Sequence, residues 1–186
     1  MNAVEIAIKM ETDAIAFYKE AAAKVKNIVG QKMFLSIRED EKRHLDMLKE
    51  IMQGLDIRFR DASPIRNVKT IFEEHRIEMM QRVSATNDEL SAFRVAMDME
   101  GAGVTFYRKL ASESSSQEEK TFFDRLSKEE EEHFAVFSNT YFFMQNTGSW
   151  YLWEEQGIVD GGTPWASSTR TFPASTRRIL YEVFPS

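Results

Sequence analysis

Four long stretches of this chain carry apolar residues at alternating steps of four and three, the spacing that lines one face of an α-helix. Each stretch breaks its own pattern with a carboxylate. The first seam reads Val4, Ile8, Glu11, Ile15, Tyr18, Ala22, Val25, Val29. The second reads Phe34, Ile37, Glu41, His44, Leu48, Ile51, Leu55, the third Phe93, Met97, Glu100, Val104, Tyr107, Ala111, and the fourth Phe123, Leu126, Glu130, His133, Phe137, Thr140, Met144. Helix breakers are scarce within these stretches, and four of the eight Gly and three of the four Pro fall after Thr147. Gly30 and Gly54 read as stop signals, Thr86, Asn87 or Asp88 as the cap of the third helix, and Ser114 to Ser116 as caps of the fourth. The breaks at Gly30 and Ser114 are short, so each pair of helices should close into an antiparallel hairpin. A longer connection, residues 56–86, contains Pro64 and an amphipathic piece from Ile65 to Val83 that fits a short crossing helix. The expected fold is all-α: an antiparallel four-helix bundle of two helical hairpins joined by a long crossover. Its bounds are 1–146, followed by an irregular aromatic tail over 147–186.

The two halves repeat. A shift of 89 residues lays Met10-Glu11 on Met99-Glu100 and Phe17-Tyr18-Lys19 on Phe106-Tyr107-Arg108. It lays Phe34 on Phe123, Ile37 on Leu126, Glu41 on Glu130, and His44 on His133. Matched polar residues at seam positions are harder to obtain by chance than matched apolar ones.

Seams face the interior, and a buried, unpaired carboxylate costs several kcal/mol even after relaxation, on the order of the effective ion-burial penalty in real proteins. Four carboxylates in one core also repel each other. No Lys or Arg occupies the seams to neutralise them. Two divalent cations balance four carboxylates, and two neutral imidazoles complete the ligand set. Spacing agrees: Glu41-x-x-His44 and Glu130-x-x-His133 are i, i+3 pairs on one helix face. Glu11 and Glu100 stand mid-helix in the partner strand of each hairpin, at equal sequence distance from Glu41 and Glu130. The candidate metal ligands are therefore Glu11, Glu41, His44, Glu100, Glu130 and His133, with the four glutamates as the candidate catalytic groups. Tyr18 and Tyr107 each follow a ligand Glu by seven residues, either as core packing or as phenols donating to a metal-bound carboxylate. Glu129, Glu131 and Glu132 read as a solvated face, and His75 as a surface residue.

Composition narrows the chemistry further. The absence of Cys removes disulfides, thiolate metal sites, iron–sulfur clusters and cysteine nucleophiles. A net charge of −6 argues against non-specific nucleic-acid binding. No apolar run approaches the roughly 20 residues of a membrane helix, and the N-terminus lacks a basic start followed by an apolar stretch. A soluble, cytoplasmic protein with no membrane or nucleic-acid partner is expected.

Taken together, these residues resemble the rubrerythrin branch of the ferritin-like di-iron carboxylate superfamily, over residues 1–146. One Glu on each of two helices and Glu-x-x-His on the other two match the ferritin-like pattern. The resemblance implies two iron ions on the six residues above, oxygen or peroxide chemistry, and a homodimer. Manganese or zinc are substitutes that the same ligands accept. Two departures stand out. Rubrerythrins proper carry an additional Glu three residues after the third-helix ligand, where this chain has Gly103, and the equivalent in the first half is Ala14. They also carry a Cys-bearing rubredoxin module, which this chain lacks, so a peroxidase would need a separate electron donor.

Three functions follow. The first is an oxidoreductase reducing peroxide or oxygen inside a dry apolar shell, for which Ile15, Leu48, Val104 and Phe137 are candidates. The second is a ferroxidase that handles iron. The third is a non-catalytic, metal-stabilised interaction module working through the tail. That tail holds Trp150, Trp153, Trp165, Phe172, Tyr181 and Phe184 with Arg170, Arg177 and Arg178, and is expected to pack on the bundle or on a partner subunit.

Overall fold

The computed structural model describes residues 2–54 and 86–145, and among these the chain forms four helices and no strand. They are α1 (Ala3–Lys24), α2 (Ile28–Met52), α3 (Asn87–Glu113) and α4 (Gln117–Gln145). Helix α1 packs along α2 and α3 along α4, and the hairpins meet through α1 against α3 and α2 against α4. The result is the expected all-α four-helix bundle. Leu55, the piece at 65–83, His75 and the tail at 147–186 lie outside the described residues. None of the described helices is long and apolar enough to cross a membrane.

Local chemistry sets the helix ends. Asn2 caps α1 in a reciprocal box with Glu5, each side chain accepting the other's backbone N–H at 2.8 Å. Gly30 is not the stop between the first two helices. The chain leaves α1 at Val25, and Asn27 caps α2 by accepting from the N–H groups of Val29 and Gly30. Gly30 lies in the first turn of α2, where a Cβ would come within 2.8 Å of Val25 Cγ1 and 3.3 Å of Phe93 Cζ. Its small size serves close packing, and a helix-capping Asn upstream supplies the break. Val25 and Val29 thus fall beyond α1, with Val29 in α2. Gly54, with φ of 68°, does follow the end of α2. Ser116 caps α4 by accepting from Glu119 N–H at 3.0 Å.

Thr86 and Glu89 form the same reciprocal box at the start of α3. The other Glu89 oxygen accepts from the N–H groups of Lys26 (2.6 Å) and Asn27 (3.1 Å), tying the α1–α2 turn to α3. Burial raises the pKa of this carboxyl, but the Thr86, Lys26 and Asn27 N–H donors outweigh it and hold the group below the usual range. Glu89→Ala should cost about 2–3 kcal/mol, the sum of a lost cap and N–H groups left without an ionised acceptor. The loss should shrink as pH falls below the usual carboxylate range, because a depressed pKa gives stability only where the group is charged. Denaturant melts at pH 7 and pH 3 check both statements; equal losses at the two pH values would contradict the charged-acceptor account.

The core divides into two apolar clusters. One gathers Tyr18, Met33, Phe34, Ile37, Phe93 and Phe137, and the other Ala7, Leu48, Tyr107, Phe122, Phe123 and Leu126. Along every helix the seam carboxylate falls between a residue of one cluster and a residue of the other: Ala7 and Ala14 flank Glu11, and Leu126 and Phe134 flank Glu130. A polar layer thus lies between two oily ones. Each buried ring contributes about 1.5–3 kcal/mol relative to exposure, which offsets the cost of that layer.

Candidate metal centre

The polar layer holds all six seam residues. Glu11 (α1), Glu41 and His44 (α2), Glu100 (α3), and Glu130 and His133 (α4) are each 4 % exposed or less. They form two overlapping groups, Glu11–Glu41–His44–Glu130 and Glu41–Glu100–Glu130–His133. Within each group one donor atom per residue lies within 4.8 Å of the others. Glu41 and Glu130 belong to both groups. The arrangement is a shared central pair of carboxylates with one Glu and one His at either end.

Both imidazoles turn Nδ1 inward. His44 Nδ1 stands 2.9 Å from Glu41, 3.3 Å from Glu130 and 3.9 Å from Glu11. His133 Nδ1 stands 3.1 Å from Glu41, 3.5 Å from Glu100 and 3.6 Å from Glu130. Close as they are, His44 Nδ1, His133 Nδ1 and both Glu41 oxygens are not aligned in any hydrogen bond. Buried polar atoms in native proteins are almost always paired. Four orphaned donor atoms converging on one volume, of the hard-oxygen and imidazole types that divalent iron, manganese or zinc accept, fit a metal site.

Protonation shows what the cluster does with its charges alone. Burial, and then repulsion from Glu41 and Glu130, push Glu11 and Glu100 well above the usual carboxyl range. Burial opposes ionisation of Glu41 and Glu130 as well. For Glu41 the neighbouring His133 and His44 imidazoles outweigh it, and for Glu130 the Glu100 carboxyl and the His133 and His44 imidazoles beside it do, so both are held low. Burial works against charge on the histidines too. The Glu129 bond and the Glu130 and Glu41 carboxylates nearby outweigh it at His44, and the Glu41 and Glu100 charges do so at His133, raising both. Protons therefore stand where cations would.

The tyrosines cross between halves. Tyr18 on α1 donates to Glu100 on α3, and Tyr107 on α3 donates to Glu11 on α1. This pairing also shows α1 and α3 to be antiparallel. Burial, then the neighbouring carboxylates, raise both phenols, so they remain O–H donors. Both tyrosines also pack in the core.

Glu129 is not part of a solvated face. It is 7 % exposed, its Oε2 lies 2.9 Å from His44 Nε2, and it pairs with Arg43 and Arg125. Burial raises its pKa, but the His44 bond and charge and then Arg43 outweigh that and lower it to about 2. An ionised Glu129 accepts the His44 Nε2 proton, so that a neutral imidazole would leave its Nδ1 lone pair free for a metal. Asp40 stands in the same place for His133, 3.6 Å from its Nε2. The signal was in the repeat, since the same 89-residue shift lays Asp40 on Glu129.

A cavity of about 220 Å³ lies between α1 and α3, lined by the four seam glutamates, Tyr18, Tyr107, Met10, Ala14, Met99, Ala102 and Gly103 among others. Leu48, Val104 and Phe137 are fully buried as expected of a dry shell, but Ile15 is only half-buried, and Ala14 faces the cavity instead. A Cβ on Gly103 would stand 3.3 Å from Glu130 Cγ and Cδ, so glycine there keeps the space beside that carboxylate open.

A family model described as Rubrerythrin matches residues 2–141 of the chain. No curated protein and no solved structure matches it.

Proposed function

Since the chain belongs to the rubrerythrin family, we propose that Glu11, Glu41, His44, Glu100, Glu130 and His133 hold two iron ions, and that the protein reduces peroxide or oxygen there. The observation that carries this reading is the set of orphaned donor atoms, both Glu41 oxygens and the Nδ1 atoms of His44 and His133, converging between two apolar layers. Two ferrous ions, when bound, supply the two electrons that cleavage of a peroxide O–O bond consumes.

The chain's own residues do the rest. Glu41 and Glu130 are the shared carboxylates, and each end adds one Glu and one His. Carboxylate oxygens favour the ferric state and imidazoles accept the ferrous one. Tyr18 and Tyr107 hold Glu100 and Glu11 by phenolic O–H donation and retain those protons. The cavity beside Gly103 gives a small oxidant a way to the carboxylates, while the Phe34 and Phe122 layers exclude bulk water. Electrons for a further turnover come from a donor other than the residues of this site.

The same cavity supports a second reading. Its lining carries the four seam carboxylates, which attract ferrous ions as well as admit an oxidant. A ferroxidase that oxidises iron and passes it on would use that route. Storage requires a closed shell of many copies, so a homodimer in solution would argue against storage.

Reconstitution with ferrous iron under anaerobic conditions, followed by an iron count and a stopped-flow mix with hydrogen peroxide, separates these readings. The expected result is two irons per chain, one peroxide consumed per two ferrous ions, and a new near-ultraviolet ferric absorption with iron retained. Release of the oxidised iron would favour the ferroxidase. A chain that takes up no iron, or takes it up and leaves peroxide untouched, would defeat the oxidoreductase reading.

A further inference from the structure

The repeat that pairs the two ends of the site breaks at the residues supporting their histidines. Glu129 Oε2 stands 2.9 Å from His44 Nε2. Arg125 Nε braces the other Glu129 oxygen at 3.1 Å, and Arg43 reaches across from α2 to the first. Asp40, the repeat partner of Glu129, lies 3.6 Å from His133 Nε2, and neither Asp40 Oδ2 nor that nitrogen makes a hydrogen bond. The repeat partners of Arg125 and Arg43 are Ser36 and Glu132. The two guanidinium positions that serve Glu129 thus correspond, under the repeat, to a hydroxyl and an acid in the other half. Asp40 shares Arg43, at 3.4 Å from its Oδ1, with a Glu129 that holds the same nitrogen closer.

A metal-binding imidazole is held in place by the acceptor on its far nitrogen, and loss of that acceptor lowers metal affinity about 10- to 100-fold. From this asymmetry we infer that the two metal positions are unequal. The Glu11/His44 position is firm and keeps its ion, and the Glu100/His133 position exchanges its ion with the medium. Glu129, braced by Arg43 and Arg125, is the positioning residue that makes the difference. The inference rests on the reading of the six residues as metal ligands.

Cobalt(II) titration of the metal-free chain, followed by visible absorption, tests it. The expected curve has two phases whose dissociation constants differ by about 10-fold or more. Glu129→Gln should weaken the first phase by about 10- to 100-fold and shift its absorption band, while Asp40→Asn leaves that phase and band unchanged. His133→Gln should keep one tight equivalent, and His44→Gln should lose it. Arg125 is the most exposed of the network, with a side chain 31 % accessible, so Arg125→Gln should stay folded and weaken the first phase in the same direction as Glu129→Gln. A single phase of two equal ions in the unaltered chain would overturn the inequality while leaving the metal centre standing. So would an Asp40→Asn chain as impaired in the first phase as Glu129→Gln. A chain that binds no cobalt would overturn the metal centre itself.

Discussion

Glu130→Gln is expected to abolish most of the thermal stabilisation that metal gives this protein. Glu130 and Glu41 belong to both donor groups, so losing either damages both positions. A ligand present at a thousand times its dissociation constant stabilises the native state by about 4 kcal/mol, so two ions give about 8 kcal/mol. In a chain of this size each kcal/mol moves the melting temperature by about 2–4 °C, which makes the metal-dependent rise roughly 15–30 °C. Glu130→Gln should retain less than half of it. Glu11→Gln serves as the contrast. Glu11 belongs to one group only, and burial with the Glu41 and Glu130 charges favours its protonated form without metal. A glutamine is close in shape to a protonated glutamate, so Glu11→Gln should leave the metal-free melting temperature almost unchanged and remove about one ion's share of the rise, about 4 kcal/mol. Scanning calorimetry with chelator and with ferrous iron measures both. A full metal-dependent rise in Glu130→Gln would show that this carboxylate is not shared.

The contrast explains how much of the site could be read from the chain. Buried acids are costly enough that a carboxylate recurring in an apolar seam announces a partner of opposite charge, and Glu11, Glu41, Glu100 and Glu130 do so twice over in a repeat. The structure brings all four together with His44 and His133. Glu129 escaped because it sits in the run Glu129 to Glu132, where composition favours a wet surface. Only its match to Asp40 under the repeat separates it from Glu131 and Glu132. Gly30 was misleading for a different reason. Glycine ends helices, but it also permits close packing, and periodicity does not distinguish the two. Only the nearness of Val25 and Phe93 does. Ile15 and Ala14 are neighbours one step apart, and a seam read in steps of four and three cannot tell which of them turns toward the cavity.

Metal binding should also reverse the sign of the protein's pH dependence. Without metal, Glu11, Glu100, His44 and His133 are all raised, so the native state holds more protons than the unfolded chain. Stability then falls as pH rises. The two acids contribute in full only below the unfolded carboxyl value of 4.5, and the two histidines below 6.5; each contribution is lost as pH climbs through the raised native value. Glu41 and Glu130 act oppositely, giving stability above 4.5 that disappears as pH drops through their depressed values. The metal-free protein should therefore be most stable in mild acid and lose melting temperature from pH 5 to pH 8. Metal requires ionised carboxylates and neutral imidazoles, so two ions displace up to about four protons, and affinity rises with pH. The loaded protein should gain melting temperature over the same interval. Paired scans at pH 5, 6, 7 and 8 should diverge, with the gap widest at pH 8. A calorimetric titration repeated in buffers of different ionisation heat should count the released protons. Parallel curves, or a count near zero, would mean that the ions bind somewhere other than among these protonated groups.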